Sequence, residues 1–169
     1  TRKRSSAASD VYKRQAQQNL FQIWGDIARL YDEYSTQNRY WVIRMNMFHT
    51  SSAPKMKGKA AEVKDLLPVL VSVWEKYHNP QLDIHRQILL VLQGSYHMDH
   101  LLSQHPEDYA LPSNVADDLV STCCITLSTW YAVFKHFKKE GLQPPLFGLT
   151  AKAHLLMHCC VLSRWGLCL

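Results

Sequence analysis

Residues 112–141, PSNVADDLVSTCCITLSTWYAVFKHFKKEG, decide the fold class. No Asp, Glu, Lys or Arg occurs between Asp118 and Lys135. Leu119, Cys123, Leu127, Trp130, Phe134 and Phe137 recur at steps of four, four, three, four and three. That is the spacing of one helix face; a strand would alternate at every second residue. Ile125, Tyr131, Ala132 and Val133 fall between the stripe positions, so the helix is apolar around most of its circumference. Such a helix is expected to be buried on most sides, and residues 113–139 are read as the post around which the other helices pack. Ser113 is the expected N-cap, with Asp117 and Asp118 in the first turns, where carboxylates suit the positive end of the helix dipole. Lys135, Lys138 and Lys139 crowd the other end, and Gly141 stops the helix.

The same period runs through the flanking segments. Leu20, Ile23, Trp24, Ile27, Leu30, Tyr31 and Tyr34 mark a first helix from Gln17. Tyr40, Trp41, Ile43 and Met47 predict a second, shorter helix over 39–48, and residues 49–54 read as a loop. Val63, Leu66, Leu67, Leu70, Val73, Trp74 and Tyr77 predict a third, which Pro68 should kink or break because proline donates no hydrogen bond to Lys64. Ile84, Ile88, Val91, Leu92, Ser95, Met98 and Leu102, widened by Leu89 and Leu101, predict a fourth over 81–104. Pro144 and Pro145 force an extended linker. Thr150 then caps a last helix, with Ala153, Leu156, Met157, Cys160 and Val161 inward. The expectation is all-α: one domain over 17–169, a bundle of five or six helices around 113–139. A chain of 169 residues is long enough to bury such a core. It stops on the apolar Leu167-Cys168-Leu169, which reads as a truncated C-terminus.

The net charge of +5 suggests a polyanion partner, but it sits mostly in the tail. Residues 1–14 hold Arg2, Lys3, Arg4, Lys13 and Arg14 against Asp10, and the body is nearly neutral. Residues 1–16 are polar, basic and aperiodic, and are expected to be disordered. Ser5 to Gln15, SSAASDVYKRQ, resembles a translated sequencing-adapter read-through found in transcriptome-derived proteins. That resemblance implies that the genuine chain resumes near Ala16. The body loosely resembles helical proteins of no known function from dinoflagellates. It does so through Trp24-Gly25-Asp26-Ile27, the run from Pro54 to Ala61, His85-Arg86-Gln87-Ile88 and the run from Asp108 to Pro112. This second resemblance implies no activity.

Cys123, Cys124, Cys159, Cys160 and Cys168 include two adjacent pairs and no C-x-x-C. Neighbours on a helix point about 100° apart, so the cysteines read as reduced core residues of an intracellular protein. A Cys123–Cys160 bridge has no support in the spacing. The longest uncharged run falls short of the ~20 residues a membrane span needs and carries several hydroxyls, so no membrane partner is expected.

Catalytic signatures are missing: there is no G-x-S-x-G, H-E-x-x-H, phosphate loop or G-x-G-x-x-G. No catalytic residue is assigned, and the chain leans away from an enzyme. Two constellations merit weighing. Arg39, Arg44, Lys55, Lys57, Lys59 and Lys64 face only Glu62 across 39–64, with Tyr40 and Trp41 among them, a pattern that could track phosphates and stack bases. The competing reading is a solvated basic face with its aromatics turned inward. His154 and His158 lie one helical turn apart, as do His97 and His100, a spacing that a zinc ion can bridge. The competing reading is singly hydrogen-bonded surface histidines. Glu75-x-x-His78 is half of a di-iron motif, without a second copy. The leading expectation is therefore a non-enzymatic helical interaction domain with an unidentified protein partner. The alternatives are a nucleic-acid-associated domain using 39–64 and a histidine-bound metal site.

Overall fold

The computed structural model describes residues 2–44, 47, 58–108, 110–140 and 151–163, with residues 2–13, 151, 152 and 154 described by backbone alone. The described residues form five helices and no strand: α1 (Arg2–Glu33), α2 (Ala60–Tyr77), α3 (Asp83–Ser103), α4 (Ser113–Lys139) and α5 (Ala151–Ser163). The protein is an all-α helical bundle. No described helix is long and apolar enough to cross a membrane. The chain divides into two compact units, Thr1–Ser51 with Lys55–Val73, and Ser52–Pro54 with Trp74–Leu169.

In the first unit α1 begins at Arg2, well before Gln17. The segment 1–16, expected to be disordered, is helical from Arg2 because nothing before Gly25 is glycine or proline, and Ala, Arg, Lys and Gln are good helix formers. Ile27, Leu30 and Tyr31 on α1 pack with Tyr40, Ile43, Leu66, Val69 and Val73 as the core of this unit. The α1 C-terminus closes with Ser35 in the left-handed region (φ 51°). Thr36 N–H donates to Tyr31 O at 3.0 Å and Ser35 N–H to Asp32 O at 3.1 Å. These are the two bonds of a Schellman cap, with serine where glycine is usual.

The second helix expected over 39–48 is not formed across 39–44. Its residues are largely aromatic or β-branched, which are weak helix formers, and side-chain bonds hold the segment open. Asp65 Oδ2 accepts from both the Asn38 backbone N–H (3.1 Å) and Asn38 Nδ2 (2.9 Å). Arg39 Nε donates to Thr36 O at 2.6 Å, and its guanidinium pairs with Asp32. Tyr40 and Ile43 turn into the core, while Trp41 and Val42 face out. At the start of α2, Glu62 Oε2 accepts the Lys59 backbone N–H at 2.9 Å, the return half of a capping box. The helix runs through Pro68 without a break. Val63 and Tyr77, expected on its inner side, are exposed.

In the second unit Trp74 Nε1 donates to His85 O at 3.0 Å, and Asn79 N–H to His85 Nδ1 at 2.9 Å, securing the turn into α3. Ile88, Val91, Met98 and Leu101 are the buried face of α3, whereas Leu102 is exposed. Helix α4 packs against both α3 and α5 and occupies the bounds read from its sequence, but the side chains it buries differ. Ala116, Leu119, Cys123, Thr126 and Val133 are inward, and Leu127, Trp130 and Phe134 are half-buried. Ile125 (60 % exposed) and Tyr131 (48 %) lie on an open face, so α4 buries one stripe and not most of its circumference. The small Thr126 sits where Gly94 of α3 comes closest, as a Cβ on Gly94 would meet Thr126 Oγ1 at 2.0 Å. Pro112 takes the N-cap position and Ser113 the first helical one, with no side-chain capping bond. Gly141, the proline linker and Thr150 lie outside the described residues. On α5, Cys160 and Ser163 are buried, while Leu156 and Val161, expected inward, are exposed because the helix has one packed face.

Candidate functional site

Within the first unit, α1, residues 37–41 and the first turn of α2 enclose a cleft of about 480 Å³, within the size range of small-ligand sites. Trp24 and Tyr31 lie seven residues apart, hence on the same face of α1, and meet edge to face with ring centres 6.4 Å apart. Arg39 lies over the Tyr31 ring, its guanidinium carbon 5.9 Å from the ring centre, while bound to Asp32 and Thr36. Tyr40 forms part of the wall, with its hydroxyl over Gly58, where an added Cβ would come within 1.8 Å of that oxygen. Only glycine fits there without displacing the tyrosine. Trp41 stands at the rim, 96 % exposed. Lys59 and Glu62 complete the α2 side.

The Tyr31 and Tyr40 hydroxyls are buried behind this wall, and neither has a hydrogen-bond partner among the described residues. Burial pushes both phenols above their usual range. At Tyr31 the nearby Tyr40 backbone favours the phenolate, opposing burial. The Tyr40 phenol and the carboxylates of Asp65 and Glu62 raise Tyr31 further.

The structure brings part of the basic set to this cleft. Arg39 and Lys59 line it, Arg44 and Lys64 are exposed, and Lys55 and Lys57 lie outside the described residues. Asp32 and Glu62 line the same cleft, so its charge is mixed. Of the two aromatics read with the cations, Tyr40 is in the core and Trp41 in solvent.

Two of the candidate metal histidines, His97 and His100, have other partners. His97 Nε2 lies 2.9 Å from Asp118 Oδ2, and His100 Nε2 lies 3.0 Å from Gln104 Nε2. His158 is exposed, and the His154 side chain lies outside the described residues. Among the described residues no three His, Cys, Asp or Glu side chains are grouped to hold a metal ion. Glu75 accepts from Gln93 at 3.0 Å, and His78 Nδ1 is 2.9 Å from Glu75 O.

Two sulfur pairs occupy the contact between α4 and α5. Cys123 and Cys160 are free thiols, buried and close enough to interact through a hydrogen bond. Burial pushes the Cys160 thiol up to about 12, and the Cys123 thiol also up. Cys124 is exposed, with its Sγ 3.8 Å from Met157 Sδ.

Sequence reasoning missed Trp24, Tyr31 and Asp32 as parts of the cleft. The first two share the core stripe of α1, so their spacing marks them as packing residues. No family model matches the chain, and no curated protein or solved structure shows significant similarity to it.

Proposed function

We propose that this chain is a non-enzymatic, intracellular helical interaction domain that grips a protein partner at the aromatic cleft of its first unit. The observation that carries this reading is Trp41, an indole held 96 % in solvent at the rim of a concave wall of Trp24, Tyr31 and Tyr40. Trp, Tyr and Arg dominate the binding energy of protein interfaces, and all three types meet here. Leaving an indole in water forgoes the hydrophobic gain that a docked side chain would restore. The intracellular setting is supported by the free thiols of Cys123 and Cys160.

A peptide-display selection on the full chain tests the proposal. Selected peptides should lose at least tenfold in affinity, about 1.4 kcal/mol, on Trp41→Ala, with an unchanged melting temperature. Peptides that ignore this substitution would place binding elsewhere.

Trp41 also favours a second reading, contact with single-stranded nucleic acid, since it lies between Arg39 and Arg44 with Lys59 across the cleft. The mixed charge from Asp32 and Glu62 supports the protein partner instead. Oligothymidylate binding separates the two. The nucleic-acid reading requires affinity that falls steeply with salt and is lost when Lys55, Lys57 and Lys59 become alanine. Undiminished binding in that triple variant would remove it.

A further inference from the structure

We propose that the α4–α5 contact of the second unit is a soft-metal site, in which the Cys124 thiolate and the Met157 thioether hold one Cu(I) ion. The two sulfurs are already 3.8 Å apart across the helix contact. Metal–sulfur bonds of roughly 2.3 Å place two sulfurs roughly 4.6 Å apart around a central ion, within reach of a small rotamer change.

Buried cysteine alone is an ordinary core residue. Here, however, four sulfurs line one interface. Cys123 and Cys124 are neighbours on α4, and Met157 and Cys160 lie three apart on one face of α5. Met157 packs against the buried cluster that contains Cys123 and Cys160. Cys124 is the exposed member and gives an ion its way in from solvent. Thiolate and thioether donors suit soft Cu(I) and not magnesium or calcium, and two ligands are fewer than the three or four that zinc sites take from a protein.

The charge balance also fits. Cu(I) displaces the Cys124 thiol proton to solvent, and no electron moves. One thiolate, one neutral thioether and one monovalent cation sum to zero, so no net charge is placed beside the fully buried Cys123. Cys160, buried in the same cluster as Cys123, lines the inner side of the site as a soft wall.

The experiment is an anaerobic competition between the full chain and bicinchoninate for Cu(I). One equivalent should bind, with X-ray absorption showing sulfur ligands only. Cys124→Ser is an exposed change that should fold normally, and Met157→Leu conserves volume. Each should weaken binding at least tenfold, while the double variant C159S/C168S keeps full affinity. No competition with bicinchoninate, nitrogen ligands in the absorption spectrum, or full affinity in Cys124→Ser would each overturn the proposal.

Discussion

The close approach of α3 and α4 makes Gly94→Ala a test of how the second unit is packed. Two effects oppose each other. In a helix interior alanine is favoured over glycine by about 1 kcal/mol. Against this, the new methyl would lie 2.0 Å from Thr126 Oγ1, 3.2 Å from its Cβ and 3.5 Å from its Cγ2. The hydroxyl can swing away by a χ1 rotation, but the Cβ is anchored to the α4 backbone. Overpacking of this kind costs about 1–3 kcal/mol, so the net result is a loss of about 1 kcal/mol. For a cooperative unit the size of the second one, about 100 residues, that lowers the melting temperature by about 4–8 °C. Thr126→Ala removes both Oγ1 and Cγ2, and in that background the same Gly94→Ala should stabilise by about 1 kcal/mol, the propensity gain alone. The coupling between the two sites is then about 2 kcal/mol, well above the ~0.5 kcal/mol scatter of independent sites. Urea unfolding of the four proteins, followed by far-ultraviolet circular dichroism, measures it. An equal effect of Gly94→Ala in both backgrounds would refute the close crossing.

Ser35→Gly should stabilise the protein by about 1 kcal/mol, because the left-handed conformation at φ 51° penalises a side chain; Ser35→Val should lose a similar amount in the same denaturation assay. Tyr31→Phe should gain about 1 kcal/mol by deleting a buried hydroxyl that lacks a partner among the described residues; a loss of that size would reveal a hydrogen bond to this oxygen in solution. Cys160 ties stability to alkaline pH. Its thiol is raised from 9.0 to about 12 in the fold, so the unfolded chain releases the proton first. The stability it contributes is whole below pH 9 and is lost as pH rises from there toward 12, at up to about 1.4 kcal/mol per pH unit. In Cys160→Ala, urea midpoints measured across that range should fall less steeply than in the parent.

How far the fold was readable depends on where each element's determinants lie. Helix α4 carried its period, its uncharged middle and its terminal charges within one stretch, and its bounds agree with the structure. The phase of its buried stripe did not emerge. On a helix apolar around most of its surface, Leu127 and Trp130 compete equally with Thr126 and Val133, and the choice is made by Gly94 on another helix. Residues 39–44 show the converse. Tyr40, Ile43 and Met47 are spaced like a helix face, yet Asp65 of α2 holds Asn38, and Asp32 holds Arg39. Neither partner is visible from within that segment. The candidate cleft was legible only as a basic stretch with aromatics, since Trp24 and Tyr31 reach it from a helix whose spacing spells packing.

Among the described residues two hydrophobic clusters share no member, one around Tyr31 and Val69 in the first unit and the other around Leu119 and Cys160 in the second. Cooperativity is therefore expected to stop short of the whole chain. Calorimetry should show a van't Hoff enthalpy smaller than the calorimetric one, with Ser35→Gly shifting one endotherm and Gly94→Ala the other. Amides opening through the first cluster should exchange at a different free energy from those opening through the second, as two foldons in one polypeptide.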